Sequence, residues 1–459
     1  MKIIVPLIIL YLSLFLLWGL RDMKKFLLFT GVFTIPFGID YGLIQGEHIG
    51  WVSGVFVRLS DLSFLLLPVI WLAGKGKNLY LMPEIAAPTA AFMLACMLSI
   101  FNSTAGGFSG YQIVQIATTF LCYSFLAGNV MGGEDDLRMI VRFLLVSLLF
   151  QSLLSIFQFQ TALDLSFRTG SEVSFMTIND EGYVRSFGTI GRPNAFGGYV
   201  VPLILLAEVA AMAAVEKKRR ATLTWLTMLL GVLALIFCFS RGAWISFTVG
   251  NLFLTTVALK RGLPWLRRLL VAQFAVVAAI APFSLLIMER AFGYDAGAAA
   301  SRWPLMKLAW NMIVEHPVIG VGINTFLNVA PYYITRDIAG AWVGEVHNMY
   351  LLIFAEAGLL GLLAFLWLMG SFYFQAARLS RAEEPFLAAL GLGGMAALVA
   401  VATHMFVDMF TGSILLDLLF LLGALMVAGN RLRRLSPASE QPCPAALEHK
   451  IFPVAGAAA

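Results

Sequence analysis

Charge is what this sequence has least of. Only 12% of its 459 residues are Asp, Glu, Lys or Arg and 60% are hydrophobic, which excludes a water-soluble domain, where charged residues ordinarily make up about 25%. Cysteine is scarce as well. Of the four, Cys96, Cys122 and Cys238 fall inside apolar runs and Cys443 lies near the C-terminus, so a disulfide framework is excluded and they read as core residues. No HExxH or CxxC spacing occurs, and the acidic triplet Glu134, Asp135 and Asp136 falls in a segment expected on the cytoplasmic side, so no metal centre is expected. The Gly-rich phosphate loop of nucleotide-hydrolysing proteins is missing too. No cofactor is therefore expected, and any reaction must draw its energy from a substrate that arrives activated. The first apolar run has neither a basic leader nor a small-residue cleavage site, and is expected to be a retained helix rather than a signal peptide.

What is present is a succession of apolar runs, each long enough to cross about 30 Å of hydrocarbon. They lie near 3–20, 26–44, 59–74, 85–101, 111–131, 139–160, 194–215, 221–239, 242–259, 268–288, 348–372, 386–408 and 411–429. The fold expected is an all-α polytopic membrane protein of about 12–13 spans. Residues 1–435 form one transmembrane domain, followed by a Pro- and Ala-rich tail, 436–459, expected to be disordered. Lys and Arg collect in alternate loops, at 21–25, 74–77, 216–220, 260–268, 376–381 and 430–434, which the positive-inside rule places in the cytoplasm together with the C-terminus. The formal net charge of +5 is on this reading a topological signal, not a nucleic-acid-binding one. Two of the opposite loops are long, about 161–193 and about 289–347.

The outer side breaks the rule in one respect. It carries Arg58, Arg168, Arg185, Arg192, Arg241, Arg290, Arg302 and Arg336, with Lys307 its single lysine. Arginine is the planar, permanently charged fork that grips phosphate oxygens in pairs, and lysine is a poorer substitute. Each of these residues either anchors at the headgroups or serves a ligand; together they point to an anion on the outer face.

Individual segments sharpen this. In "GRPNAFGGY", Pro193 suits the first position of a helix, and Arg192 and Asn194 are presented at its mouth, either as ligands or as a snorkelling start. In "FCFSRGAWISF", Arg241 stands between two apolar runs with almost no loop to carry it, and must face a polar cavity, a carboxylate or a bound anion. In "SRWPLMKLAWNMIVEHPVIGVGINTF", two Trp residues with Arg302 and Lys307 suit a segment at the membrane interface, ended by Pro317 and turned by Gly320 and Gly322. His316 there reads as a local hydrogen-bonding residue. "GEVHNMYLLIFAEAGLLGLL" sets His347 and Asn348 at the outer mouth of a span and Glu356 deeper within it. At about 100° per residue, His347 and Glu356 point to opposite faces roughly 13 Å apart, so they form no dyad, and Glu356 needs a partner from another helix, with Arg241 one candidate. His404 and Asp408 are four apart on one helical face and either orient a site or tie two helices together.

Taken in order, these four motifs resemble the O-antigen ligase and O-antigen polymerase superfamily, the Wzy_C-type bacterial glycan transferases, over residues 180–430. The resemblance implies a glycosyltransferase C-like membrane fold with a large periplasmic loop. It implies transfer of a glycan from an undecaprenyl-diphosphate carrier to an acceptor, at the periplasmic face of the bacterial inner membrane. Ligases of this superfamily use a lipid A-core acceptor in lipopolysaccharide assembly, and polymerases extend another carrier-linked repeat; the motifs lean to the ligase. Carried over to this chain, Arg241 and Arg302 match the family's diphosphate-binding arginines and His347 its histidine. Arg185 and Arg192 lie in the loop that supplies a further arginine, and Asn348, Glu356, Asn194, His404 and Asp408 are expected in support. Because the leaving group is already a diphosphate, the enzyme has to neutralise it and to supply a base. An ordinary imidazole, titrating at about 6.5, suits the second task. The chemistry expected is a single inverting displacement without a metal. A small-anion transporter is the rival class, but it would place its charges near the bilayer midplane and commonly shows internal repeats.

Overall fold

The computed structural model describes residues 22–48, 52–68, 79–163, 184–215, 221–292, 302–340, 344–410 and 413–435. The expected span 3–20, the tail 436–459, Arg168 and Cys443 lie outside these residues. In chain order the elements are helix α1 (Met23–Phe33), strands β1 (Asp40–Gln45) and β2 (Gly54–Arg58), and helices α2 (Leu59–Leu65), α3 (Pro83–Ser99), α4 (Gly106–Thr119) and α5 (Glu134–Thr161). There follow α6 (Pro193–Val215), α7 (Ala221–Phe237), α8 (Arg241–Lys260), α9 (Leu266–Ile280), α10 (Ser284–Phe292), α11 (Arg302–Glu315), α12 (Phe326–Val329), α13 (Met349–Leu379), α14 (Pro385–His404) and α15 (Ser413–Leu435). Nine helical stretches among the described residues are long and apolar enough to cross a bilayer, and α7 is a shorter apolar helix. The chain is an all-α polytopic membrane protein.

Local sequence explains where the helices begin. Pro83, Pro193 and Pro385 open α3, α6 and α14, at positions whose amide has no helical partner to lose. Glu134, Asp135 and Asp136 fill the first turn of α5, where carboxylates complement the helix dipole. The centre of the bundle is α6, α14 and α15. Helix α15 is buried on every face from Leu415 to Asn430, the pattern of a helix enclosed by others, whereas in Leu266–Phe292 only Leu269, Ala272 and Val276 are buried. Glycine sets the closest approaches: a Cβ on Gly197 of α6 would lie 2.5 Å from Ala243 Cβ, and one on Gly250 of α8 would lie 2.6 Å from Leu205 Cδ1. Small residues at such crossings let membrane helices gain contact where burial of apolar surface offers no net drive.

The structure corrects several expected boundaries. The run 26–44 is not one span: α1 stops at Phe33, a short 3-10 turn covers Ile35–Phe37, and Gly38 turns left-handed at φ 60°. Pro36 interrupts the helix, and the chain then enters an antiparallel hairpin in which Asp40 faces Arg58 and Tyr41 faces Val57, with a bulge between Gly42 and Ile44. The run 59–74 is helical as α2 over Leu59–Leu65, and residues 69–78 lie outside the described set. The run 386–408 stops being helical at His404, four residues early.

Helix α13 reaches beyond the expected 348–372 and is broken at Gly358, where φ is 67° and ψ −169°. The chain after α11 fills the break. Leu359 and Leu360 donate their amides to Pro317 O and Val318 O at 2.9 and 3.2 Å, while Val321 and Gly322 donate theirs to Ala355 O and Glu356 O, each at 2.9 Å. A Cβ on Gly358 would lie 2.2 Å from Val318 O, which is why the position is glycine.

Loops assigned to the same side by charge meet one another. Lys24 pairs with Asp136 at 2.6 Å, Arg138 with Glu384 at 3.2 Å and Arg434 with Glu84 at 3.9 Å. Arg261, just beyond the far end of α8 from Arg241, donates to Ser380 O at 3.2 Å. The segments around Arg185, Arg241, Arg290, Arg302 and His347 converge separately, on one cavity.

Candidate active site

The cavity is built around the link between α7 and α8. Helix α7 ends at Phe237, Phe239 takes a left-handed φ of 52°, and Ser240 caps α8, its Oγ accepting from Ala243 N at 3.4 Å. Arg241 is thereby the first residue of α8. That position runs against the helix dipole, which favours acidic groups at an N-terminus and disfavours a cation by about 0.3–1 kcal/mol. Arg302 repeats the arrangement as the first residue of α11. Two helix starts, each carrying a guanidinium, suit an anion held between them.

The link is held by other arginines. Arg185 donates from Nε to Cys238 O at 3.2 Å and from Nη2 to Phe239 O at 3.4 Å, and it also donates to Asn194 Oδ1 at 3.1 Å. Arg290, at the end of α10, donates from Nε to Phe239 O at 3.3 Å. These carbonyls lie beyond the last turn of α7, where the helix leaves acceptors without intrahelical donors. Arg185 is largely buried and its pKa is pulled down to about 10, by burial first and then by the like charges of Arg290 and Arg241, with Cys238 and Asp408 opposing. It remains charged at neutral pH. The shift is mainly the mark of burial, with two neighbouring guanidiniums adding to it.

Opposite stands His347. The Asn348 side chain caps α13 by accepting from Leu351 N at 3.0 Å, and Met349 N donates to Met405 O at 2.8 Å, tying the start of α13 to the end of α14. Beyond His404 the chain turns, and Asp408 reaches back between two imidazoles: its Oδ1 is 3.3 Å from His347 Nδ1 and its Oδ2 is 3.9 Å from His404 Nε2. Burial acts to raise the pKa of Asp408, but the His347 hydrogen bond, the two imidazoles and the Met409 amide outweigh it and hold the carboxyl below its ordinary range. An ionised carboxylate therefore faces His347.

Arg185, Asn194, Arg241, Arg290, Arg302, His347, His404 and Asp408 all line this one cavity of about 200 Å³, together with Phe239, Ser240, Gly242 and Val407. Residues from six separate segments, as far apart as 185 and 408, meet there. Among the described residues no group of three or more His, Cys, Asp and Glu side chains is placed to hold a metal ion. The chemistry on offer is that of guanidinium, imidazole and carboxylate.

Other expected residues go elsewhere. Arg192 is not among the residues lining the cavity; its charge is felt by Glu345. Glu356 does not pair with Arg241. Its Oε1 accepts from Phe326 N at 3.0 Å and the carboxylate also faces the Asn324 and Thr325 amides, so the start of α12 takes the place of a cation. Arg58 is spent on a buried network, bonding Asp61 at 2.9 Å and also Asp417, which binds Thr119 in turn, while Tyr123 donates to Asp61 at 2.8 Å. Lys307 pairs with Asp337. His316 Nδ1 lies 3.3 Å from Asn102 Nδ2, a partner 214 residues away in the chain and not a local one. Arg290 was legible as one more outer arginine, at the end of an apolar run, but nothing in the sequence separated it from a headgroup anchor. Glu345 carried no signal at all.

Residues 226–366 match the family model Wzy_C, O-antigen ligase. That region contains Arg241, Arg290, Arg302 and His347; Arg185, Asn194 and Asp408 fall outside it. No curated protein matches the chain.

Proposed function

We propose, from the place of this chain in the O-antigen ligase superfamily, that it moves a glycan from undecaprenyl diphosphate to an acceptor hydroxyl on lipid A-core, at the periplasmic face of the inner membrane. Membership implies a membrane glycosyltransferase of the ligase or polymerase type; the donor, the acceptor and the orientation are our reading. The observation that carries it is the convergence of four arginines with a carboxylate-backed histidine on one cavity. The gathering of these charges at helix ends and turns favours transfer over transport, which asks for charges at the bilayer midplane.

In the reaction the acceptor oxygen forms a bond to the anomeric carbon as the bond from that carbon to the diphosphate oxygen breaks. The displacement is in line and inverts the centre. The leaving diphosphate gains one negative charge, and Arg241 and Arg302 face it, with Arg185 and Arg290 holding the turn and adding positive potential. The acceptor proton passes to His347. With Nδ1 turned to Asp408, the ring keeps Nε2 as its basic nitrogen, and the carboxylate stabilises the imidazolium that forms. Proton and charge thus balance within the site, and no step calls for a metal.

The test is a reconstituted assay with undecaprenyl-diphosphate glycan, offered lipid A-core and a carrier-linked acceptor in parallel. His347→Ala and Arg302→Ala are expected to lose at least about 100-fold in transfer rate. Wild-type rates in both variants would sink the assignment, and extension of the carrier-linked acceptor alone would make the protein a polymerase.

A further inference from the structure

A second, smaller cavity of about 40 Å³ is lined by Glu345 and Met349, two residues to either side of His347 in the chain, and holds two carboxylates that the reaction does not use. Glu345 and Glu356 both line it, along with Gln112, Asn324 and a ring of apolar side chains that includes Phe92 and Phe365. The needs of Glu356 are met by the amides at the start of α12. Glu345 is different: it is 7% exposed, and its Oε2 is buried with no hydrogen-bond partner among the described residues. Asn324 is already committed, donating to Val52 O at 2.9 Å and Phe108 O at 3.1 Å and accepting from Val52 N at 3.3 Å. Two carboxylates in one enclosed space cannot both ionise cheaply.

We propose that Glu345 carries a proton in the working protein and is a positioning residue: its neutral carboxyl, buried in the cavity it shares with Glu356, pins the segment 345–348 and so keeps the His347 imidazole against Asp408. The proposal rests on the reading of His347 as the base. Glu345 is two residues from His347, Val346 between them is fully buried, and Asn348 after them caps α13. If Glu345 ionises, a second negative charge appears beside Glu356 in a small, mostly apolar cavity. Relief comes by drawing Glu345 out toward water, and His347 moves with it.

The groups that act on Glu345 are Glu356 from α13 and Arg192 from the segment before α6; Gln112 and Asn324 face the same space as neutral amides. Burial raises the pKa of Glu345 well above the carboxyl range, the Glu356 charge adds to this, and Arg192 opposes it. The sign follows. Below that raised value Glu345 is neutral and the segment is held; above it the carboxylate forms and the hold is lost. The loss is therefore on the alkaline side, opposite to the acid-side loss expected when a catalytic imidazole is protonated.

Two measurements test this over a range of pH, for wild type, Glu345→Gln and Glu356→Gln in proteoliposomes. The first is glycan transfer. The second is hydrogen exchange at the amides of residues 345–348, corrected for the intrinsic rate and run without donor. The wild type is expected to lose transfer and to gain about tenfold in exchange as pH rises. Glu345→Gln, neutral at every pH, should stay within about threefold of the wild-type neutral rate and show neither alkaline change. Glu356→Gln removes the neighbouring charge and should move the wild-type exchange transition to lower pH. An alkaline transition unchanged by both substitutions overturns the proposal, as does a folded Glu345→Gln protein inactive at every pH while the wild type is active. If the exchange behaves as expected while no variant, wild type included, transfers glycan, the positioning role stands and the transfer reading falls.

Discussion

Replacing Asp408 by Asn keeps the shape of the site and removes one charge. The imidazolium formed at His347 then loses a counter-charge whose oxygen lies 3.3 Å from Nδ1. At an effective dielectric constant of about 20, two unit charges at that distance attract by about 5 kcal/mol. The imidazolium charge is spread over two nitrogens and only one of them is close, so about half is realised, roughly 2.5–3 kcal/mol, or about 100-fold in rate. Asp408→Asn should therefore lower kcat by about 100-fold, measured as single-turnover transfer of a labelled glycan from the polyprenyl-diphosphate donor. The KM for the donor should not rise, because in the proposed reaction Asp408 would repel the diphosphate held by the arginines. Asp408 is a group whose folded pKa is depressed, so the stability its ionisation contributes is present above its ordinary value, about 3.9, and is lost only as pH falls through the lower folded one. It does not titrate near neutrality. A kcat within about threefold of wild type would refute the reasoning, because it would mean that no positive charge develops beside Asp408.

Arg241→Lys keeps the charge at the start of α8 and removes the planar fork, so transfer should fall by about 10–100-fold with the protein folded; a wild-type rate would show that a point charge suffices. Gly358→Ala places a Cβ 2.2 Å from Val318 O at a φ of 67°, and should lower stability by more than about 2 kcal/mol, read as a drop in thermal midpoint in detergent. An unchanged midpoint would mean that the break in α13 is not rigid. Arg58→Ala leaves Asp61 and Asp417 buried without their cation and should destabilise by about 3–5 kcal/mol in the same assay, whereas a surface arginine would show almost nothing.

The spans were legible because an apolar run of sufficient length has few other uses. Arg241, Arg302 and His347 were legible for the converse reason, as polar groups in places that demand an explanation. What the chain did not reveal was conformation inside a run. Residues 26–44 scored as one span by composition, although Pro36 and Gly38 mark the place where the helix gives way to a hairpin. Partnerships across the fold were hidden for a related reason. Asp408 was expected opposite His404 by helical spacing, but the helix ends at His404, and the turn beyond it lets the carboxylate reach His347, 61 residues away. For Glu356 a cation was sought, and the structure supplied backbone amides, which every residue but proline carries and which therefore leave no mark in a sequence.

The stitching of the 317–322 segment into the gap of α13 has a mechanical consequence. Arg302 begins the helix that leads into this segment, and His347 leads into the helix that receives it. The proposed anion clamp and the proposed base are therefore joined through these backbone hydrogen bonds, and the spacing between Arg302 and His347 is set in part by the 317–322 segment.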